Sequence, residues 1–473
     1  MSKPEGAVED FPGLLTGWAP PLQSVRAEIV QREYEGCVVD QAIKEELVGG
    51  IPPSLLRLRE IQLYLNDLWP SADFPYVQPN ELDAIRDLRP EGPRILALGL
   101  SEDELLDRFH GAWTGRAAGC ALGKPVELIG ILGQKGGLGR SEIKTYLQKR
   151  DQWPLDNYFT GKSAPGCNTG LICPASWREN IMFMEPDDDI HYSLIGLKVL
   201  EEKGADFIWQ DVADTWNSCL PHNAICTAET QAILNYNMCT PRMKSNSDNV
   251  SAEFTRRHNN PYREWIGAQI RADGWAYCCA GHPELAAEFA WRDAHWTHTA
   301  NGIYGEMFMA AIIAAAFVES DPERLVAIGL SEIPHDCRLA EAVRRALGWV
   351  EECQHFEDFM EILDDHYREL HGVHTINNAL IVVMSLFYGE MDPDHSICTA
   401  VMAGLDTDCN GATVGSIVGS VKGKANFGGK LQTALHDTIK PLVFGFQEVT
   451  IKELAERTLR VHQTLSRGKG SFK

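Results

Sequence analysis

Apolar residues recur at three- and four-residue spacing along most of this chain. From Leu105 through Phe109, Ala112, Trp113, Ala117 and Cys120 they mark one face of a helix. Ser101 and Glu104, just ahead of that run, form a capping-box pattern that fixes where the helix starts. The same period runs through residues 190–200, 303–318, 338–350, 377–387 and 412–421. Strand-like alternation is scarce, so the pattern predicts an all-α, multi-helix architecture.

Two of the predicted helices carry a small residue at every fourth position. These are Gly111, Gly115 and Gly119, and then Gly411, Gly415, Gly419 and Gly423. A glycine inside a helix costs about 1 kcal/mol relative to alanine, so a repeated glycine stripe implies a compensating gain. Residues four apart share one face, and a face without side chains lets another helix backbone come close. The two helices are therefore expected to form a scaffold that brings their flanking acidic loops together.

Residues 1–100 have a different texture. Pro20-Pro21, Pro52-Pro53, Pro70, Pro75 and Pro79 break the segment into short helical runs such as 54–68. This reads as an N-terminal helical extension, 1–100, joined through Arg89-Pro90-Glu91-Gly92-Pro93 to a catalytic body, 101–473. The extension is expected to pack on the body or on a neighbouring subunit and to supply no metal ligand.

Composition narrows the function classes. With 44% apolar and 23% charged residues, the 473-residue chain has an ordinary globular balance. A formal charge of −23 repels phosphate backbones and anionic lipid, which argues against nucleic acid or a membrane as the main partner. Met1-Ser2-Lys3-Pro4-Glu5-Gly6 has neither the basic start nor the apolar run of a secretion signal, and no stretch of about 18 uninterrupted apolar residues occurs. A cytoplasmic location is expected. Thirteen cysteines without a Cys-x-x-Cys pair argue against a disulfide framework or zinc ribbon, and Cys278-Cys279 reads as two buried thiols.

The candidate chemistry lies in two acidic runs. Glu185-Pro186-Asp187-Asp188-Asp189 stands immediately before the helix that begins near Ile190. Helix capping accounts for one carboxylate there, not three, because neighbouring charges repel and drive each other's pKa upward unless a cation offsets them. Asp406-Thr407-Asp408-Cys409-Asn410 precedes the second glycine-spaced helix, and its Asp-x-Asp turn lets alternate side chains converge on one point. With Glu127, these segments offer up to six negative charges to one site. Two divalent cations are the simplest compensation, and the oxygen-rich set favours Mg²⁺ or Mn²⁺ over zinc. Other motifs fail on spacing: Gly161-Lys162-Ser163 lacks the earlier glycine of a P-loop, which is Asp156 here, and the glycine-rich 133–139 stretch has no strand-then-helix context.

The same residues carry a resemblance. Asp107-Arg108-Phe109-His110-Gly111, followed by Gly115, Ala118-Gly119 and Leu122-Gly123-Lys124-Pro125-Val126-Glu127, resembles the opening motif of the ADP-ribosylglycohydrolase family. Asp187-Asp188-Asp189 is similar to its Thr-Asp-Asp motif, and Asp406-Thr407-Asp408-Cys409-Asn410 to its closing Asp-Thr-Asp-Thr-Asn motif, in the family's order over about residues 101–465. The resemblance implies an orthogonal all-α fold with a binuclear magnesium or manganese site. It implies Asp188, Asp189, Asp406 and Asp408 as metal ligands, with Asp187 and Cys409 at the places of hydroxyl-bearing ligands. It implies Glu127 as the acidic residue at the cleft and His298 as lining the substrate pocket. Gly267 and Arg271 are what remains of the family's Gly-Asn-Gly loop, which approaches the diphosphate of ADP-ribose, and Cys120 replaces a frequent aspartate.

The expected activity is hydrolysis of a ribosyl N- or O-glycosidic bond, with an ADP-ribosyl-type substrate, small or protein-linked. Glu127 and Asp187 are the candidate general bases, and Asp408 joins them as a candidate catalytic residue. Three alternatives stay open: a glycosidase for a nucleoside-like substrate lacking the diphosphate, for which the segment containing Asn377 would suit; a non-catalytic binder; and a metal-dependent phosphohydrolase.

Overall fold

The computed structural model describes residues 18–132, 138–163, 170–239 and 250–468. Met1–Gly6 and most of the 133–139 stretch lie outside the described residues. The fold is all-α, and the only strands among the described residues are the antiparallel pair Thr438–Ile439 and Val449–Thr450. The periodic runs emerge as the helices Glu102–Gly123, Asp188–Lys203, Asn301–Ala316, Arg338–Glu352, Thr375–Tyr388 and Thr407–Lys422. No helix among the described residues is long and apolar enough to cross a membrane.

The start of Glu102–Gly123 follows from its capping box. Ser101 Oγ accepts the Glu104 N–H at 3.3 Å, and Glu104 Oε2 accepts the Ser101 N–H at 2.8 Å. Deeper in, Asn301–Ala316 is buried along its whole length, as a helix apolar on all sides must be. It packs against Ala272–Cys278, Pro283–Ala294, Pro322–Leu330 and Thr407–Lys422. Cys278 and Cys279 are buried thiols in this region.

Glu102–Gly123 and Thr407–Lys422 run antiparallel, glycine against glycine. A methyl group on Gly115 would sit 1.9 Å from the Gly415 carbonyl oxygen, and one on Gly111 would sit 2.4 Å from that of Gly419. At the far end, a methyl on Gly123 would lie 2.3 Å from the Asp408 nitrogen. Backbone contact along the whole seam therefore ends on the acidic turn at 406–408.

The N-terminal segment has a small core of its own, formed by Val25, Ile29, Val39, Leu47, Leu58, Ile61 and Leu65. It is fastened to the body by buried charge. Arg263 is almost completely buried and reaches Glu28 with both terminal nitrogens, at 2.8 and 2.9 Å, and Glu35 with Nε at 2.7 Å. Arg89, the first residue of the expected connector at 89–93, and Arg94 just after it both grip the buried Glu332, at 2.5 and 2.8 Å. Breaking one buried pair of this kind costs about 3–5 kcal/mol.

Candidate functional site

Two helix N-termini meet at the end of the glycine seam. Asp187 caps Asp188–Lys203, its Oδ1 accepting the Asp189 N–H at 2.9 Å. Asp406 precedes Thr407–Lys422, and Thr407 Oγ1 donates to the Gly123 carbonyl at 2.9 Å, which ties the turn to the end of the opposing helix. One donor atom each from Cys120, Asp187, Asp189 and Asp408 lies within 4.8 Å of the others, and so do donors from Asp406, Asp408 and Cys409. Asp408 belongs to both groups. The two acidic runs, more than 200 residues apart in sequence, thus form one cluster.

Two of the carboxylates have their own cations. Lys124 Nζ lies 2.7 Å from Asp187 Oδ2 and donates at 2.7 Å to the Pro186 carbonyl. Burial alone would raise the Asp187 pKa, but the Lys124 ammonium outweighs it and holds the group below its ordinary value. Arg116, fully buried, sits 2.9 Å from Asp189 Oδ1 and 2.8 Å from Asp273 Oδ2.

Glu127, Asp188, Asp406 and Asp408 have no cationic partner among the described residues. The charge of Asp408, then burial, pushes Glu127 up to about 10. Burial, then Asp187, raises Asp188 to about 8 and Asp408 to about 6. Asp406 is raised well above the carboxylate range by burial and by Asp408. Asp189 Oδ2, Asp406 Oδ1 and Asp408 Oδ1 are buried and accept no hydrogen bond. An uncompensated buried charge costs several kcal/mol, while a whole domain is stable by about 5–15 kcal/mol. Four such carboxylates cannot stay ionised without added positive charge, and the bare oxygens of Asp189, Asp406 and Asp408 fit divalent cations.

The remaining sequence candidates are placed differently. His298 is fully buried, with Nδ1 2.7 Å from Thr297 Oγ1 and Nε2 3.8 Å from Glu229 Oε1. Arg271 is the hub of a buried network: Nε donates to Asp293 Oδ2 at 2.6 Å, Nη1 to Glu229 Oε1, and Nη2 to Thr297 Oγ1 at 2.9 Å. Its donors are spent on interior groups. Gly267 makes room for the same network, since a methyl there would lie 2.3 Å from Glu229 Oε1. Asn377 donates its amide to the His371 carbonyl at 3.0 Å.

Its neighbour Asn378, which the sequence offered only as part of the 373–378 segment, does the work at the cluster. Asn378 Oδ1 accepts the Asp406 N–H at 3.2 Å and Asn410 Nδ2 at 2.8 Å, fixing the turn that carries Asp406 and Asp408. Cys226 was also missed, and its thiol donates to Asp188 Oδ2 at 3.2 Å. Lys124 lay inside the opening motif without a role, and its place one turn after Cys120 was the available signal.

Known proteins resemble most of this chain. The model of the family described as ADP-ribosylglycohydrolase matches residues 101–467, leaving the N-terminal segment outside the match. Among solved structures, an "ADP-ribosylglycohydrolase-related protein complex" is 20% identical, with 77% of this chain and 99% of that chain covered at a TM-score of 0.47. No curated protein matches the chain.

Proposed function

The chain belongs to the ADP-ribosylglycohydrolase family, whose members are hydrolases of glycosidic bonds, and on that premise we propose that it is a divalent-cation-dependent glycohydrolase cleaving a ribosyl N- or O-glycosidic bond. The observation that carries the reading is the convergence of Asp187, Asp189, Asp406 and Asp408 where two helix N-termini meet, in two groups that share Asp408, with Glu127 and Asp188 near enough to feel the charge of these carboxylates. Asp188, Asp406 and Asp408 would hold the cations, with Asp189 Oδ2 and Cys409 completing the set. Bound there, divalent cations such as Mg²⁺ or Mn²⁺ supply charge compensation and Lewis acidity toward sugar hydroxyls and water.

The chain's own residues then divide the remaining tasks. Asp187 is committed to Lys124 and to its helix cap, which leaves Glu127 as the general base. Its carboxylate, which feels the charge of Asp408 most strongly, takes the proton of the attacking water as the glycosidic bond breaks. Positive charge develops on the sugar ring in that step, and the carboxylate face of the cluster favours it. Asn378 holds the Asp406 turn still while this happens.

One observation favours a second reading of the substrate. The interior commitment of Arg271 and the closeness of Gly267 to Glu229 leave the loop without a guanidinium for a diphosphate. A nucleoside-like substrate is favoured on that ground over ADP-ribose itself. The assay that tests the proposal follows release of free sugar from an ADP-ribosyl donor and from simple ribosides, with Mg²⁺ or Mn²⁺ and after chelation. Cation-dependent release of free sugar is expected. Inactivity on every glycoside, or release of phosphate instead, would overturn it.

A further inference from the structure

Both donor groups of the cluster contain a thiol. Cys120 stands with Asp187, Asp189 and Asp408, and Cys409 with Asp406 and Asp408. Lys124 takes up Asp187, and Arg116 takes up one oxygen of Asp189. The donors left free in the first group are therefore Cys120 Sγ, Asp189 Oδ2 and Asp408 Oδ1, and in the second Asp406 Oδ1, Asp408 and Cys409 Sγ. Both thiols are buried and free of disulfide.

We propose that Cys120 and Cys409 enter the cation site as thiolate ligands, so that this chain prefers a borderline divalent metal such as Zn²⁺ or Co²⁺ over Mg²⁺. The inference rests on the reading that the acidic cluster holds divalent cations. Sulfur is a soft donor that selects zinc and its neighbours, whereas Mg²⁺ demands near-octahedral oxygen and sheds water reluctantly. Zinc binds sulfur at about 2.3 Å and oxygen at about 2.0–2.2 Å, so one ion bridges donors roughly 3.5–4.5 Å apart. One donor atom from each residue of a group already lies within 4.8 Å of the others, a spacing close to that span. As each sulfur–metal bond forms, the S–H bond breaks and its proton passes to solvent, so uptake releases one proton per thiol.

The test uses the full-length protein, stripped with a chelator and loaded with Co²⁺. Wild type is expected to show the near-ultraviolet sulfur-to-cobalt charge-transfer band, weaker in Cys409→Ser and lost in Cys120→Ser/Cys409→Ser, with cobalt still bound. Dialysis of wild type against equal Mg²⁺ and Zn²⁺, followed by metal analysis, is expected to leave zinc in at least ten-fold excess. The wild-type spectrum needs no variant, so a misfolded mutant does not blunt the test. Bound cobalt without the band, or a band unchanged in the double variant, would overturn the inference while leaving the cation reading in place. Failure to bind any divalent ion would remove both.

Discussion

Gly119 and Gly411 face each other so closely that a methyl group on Gly119 would sit 1.9 Å from the Gly411 carbonyl oxygen. This contact belongs to the seam that seats the 406–408 turn against the end of Glu102–Gly123. Gly119→Ala gains about 1 kcal/mol of helix propensity but must push two backbones apart, and overpacking costs about 1–3 kcal/mol or more. The variant is expected to have a lower Tm and weaker cation binding, read by thermal denaturation with and without Mn²⁺. Unchanged stability would mean the seam yields freely.

Lys124 and Asp187 form a buried pair at 2.7 Å. Lys124→Met strands Asp187, at a cost of about 3–5 kcal/mol in the cation-free protein, but leaves it free to join a cation. The rise in Tm on adding Mn²⁺ is therefore expected to be larger in the variant than in wild type. An equal or smaller rise would place Asp187 outside the cation site.

Asp408→Asn is expected to abolish turnover while helical content is retained, because its loss falls on cation binding. Glu127→Gln keeps shape and polarity but cannot accept a proton. A drop in kcat of about 10²–10⁴ with little change in KM is expected for a general base. Activity at saturating substrate close to wild type would reduce Glu127 to a gate.

Glu35 supplies a pH dependence distant from the chemistry. Burial alone would raise its pKa, but Arg263, Arg257 and Arg32 outweigh that and bring it from 4.5 down to about 2. The folded value lies below the unfolded one, so the stabilisation is fully present above about pH 4.5 and is lost as the pH falls through about 2. It amounts to roughly 3 kcal/mol. The wild-type Tm is expected to fall further between pH 5 and pH 3 than that of Glu35→Gln, and parallel curves would show that the pair is not formed.

Much of this was legible in the sequence, for identifiable reasons. Helical period is local, so Asp188–Lys203 and Thr407–Lys422 were visible from their apolar spacing. The glycine stripes and the acidic runs at helix starts showed that two segments meet. What stayed hidden depends on partners far away in sequence. Arg116 meets Asp189 across 73 residues and Lys124 meets Asp187 across 63, and nothing in either segment alone announces the pairing. Arg271 matched a loop position, yet Glu229 and Asp293 turn it inward. Asn377 and Asn378 are adjacent and alike in chemistry, and only the rotation of the helix decides which one faces Asp406.

The most direct measurement is anomalous diffraction at the manganese edge from crystals grown with Mn²⁺. The account predicts two peaks within coordination distance of Asp188, Asp406 and Asp408, with Lys124 still on Asp187. An ordered cluster without a peak, or peaks lying away from these carboxylates, would contradict it.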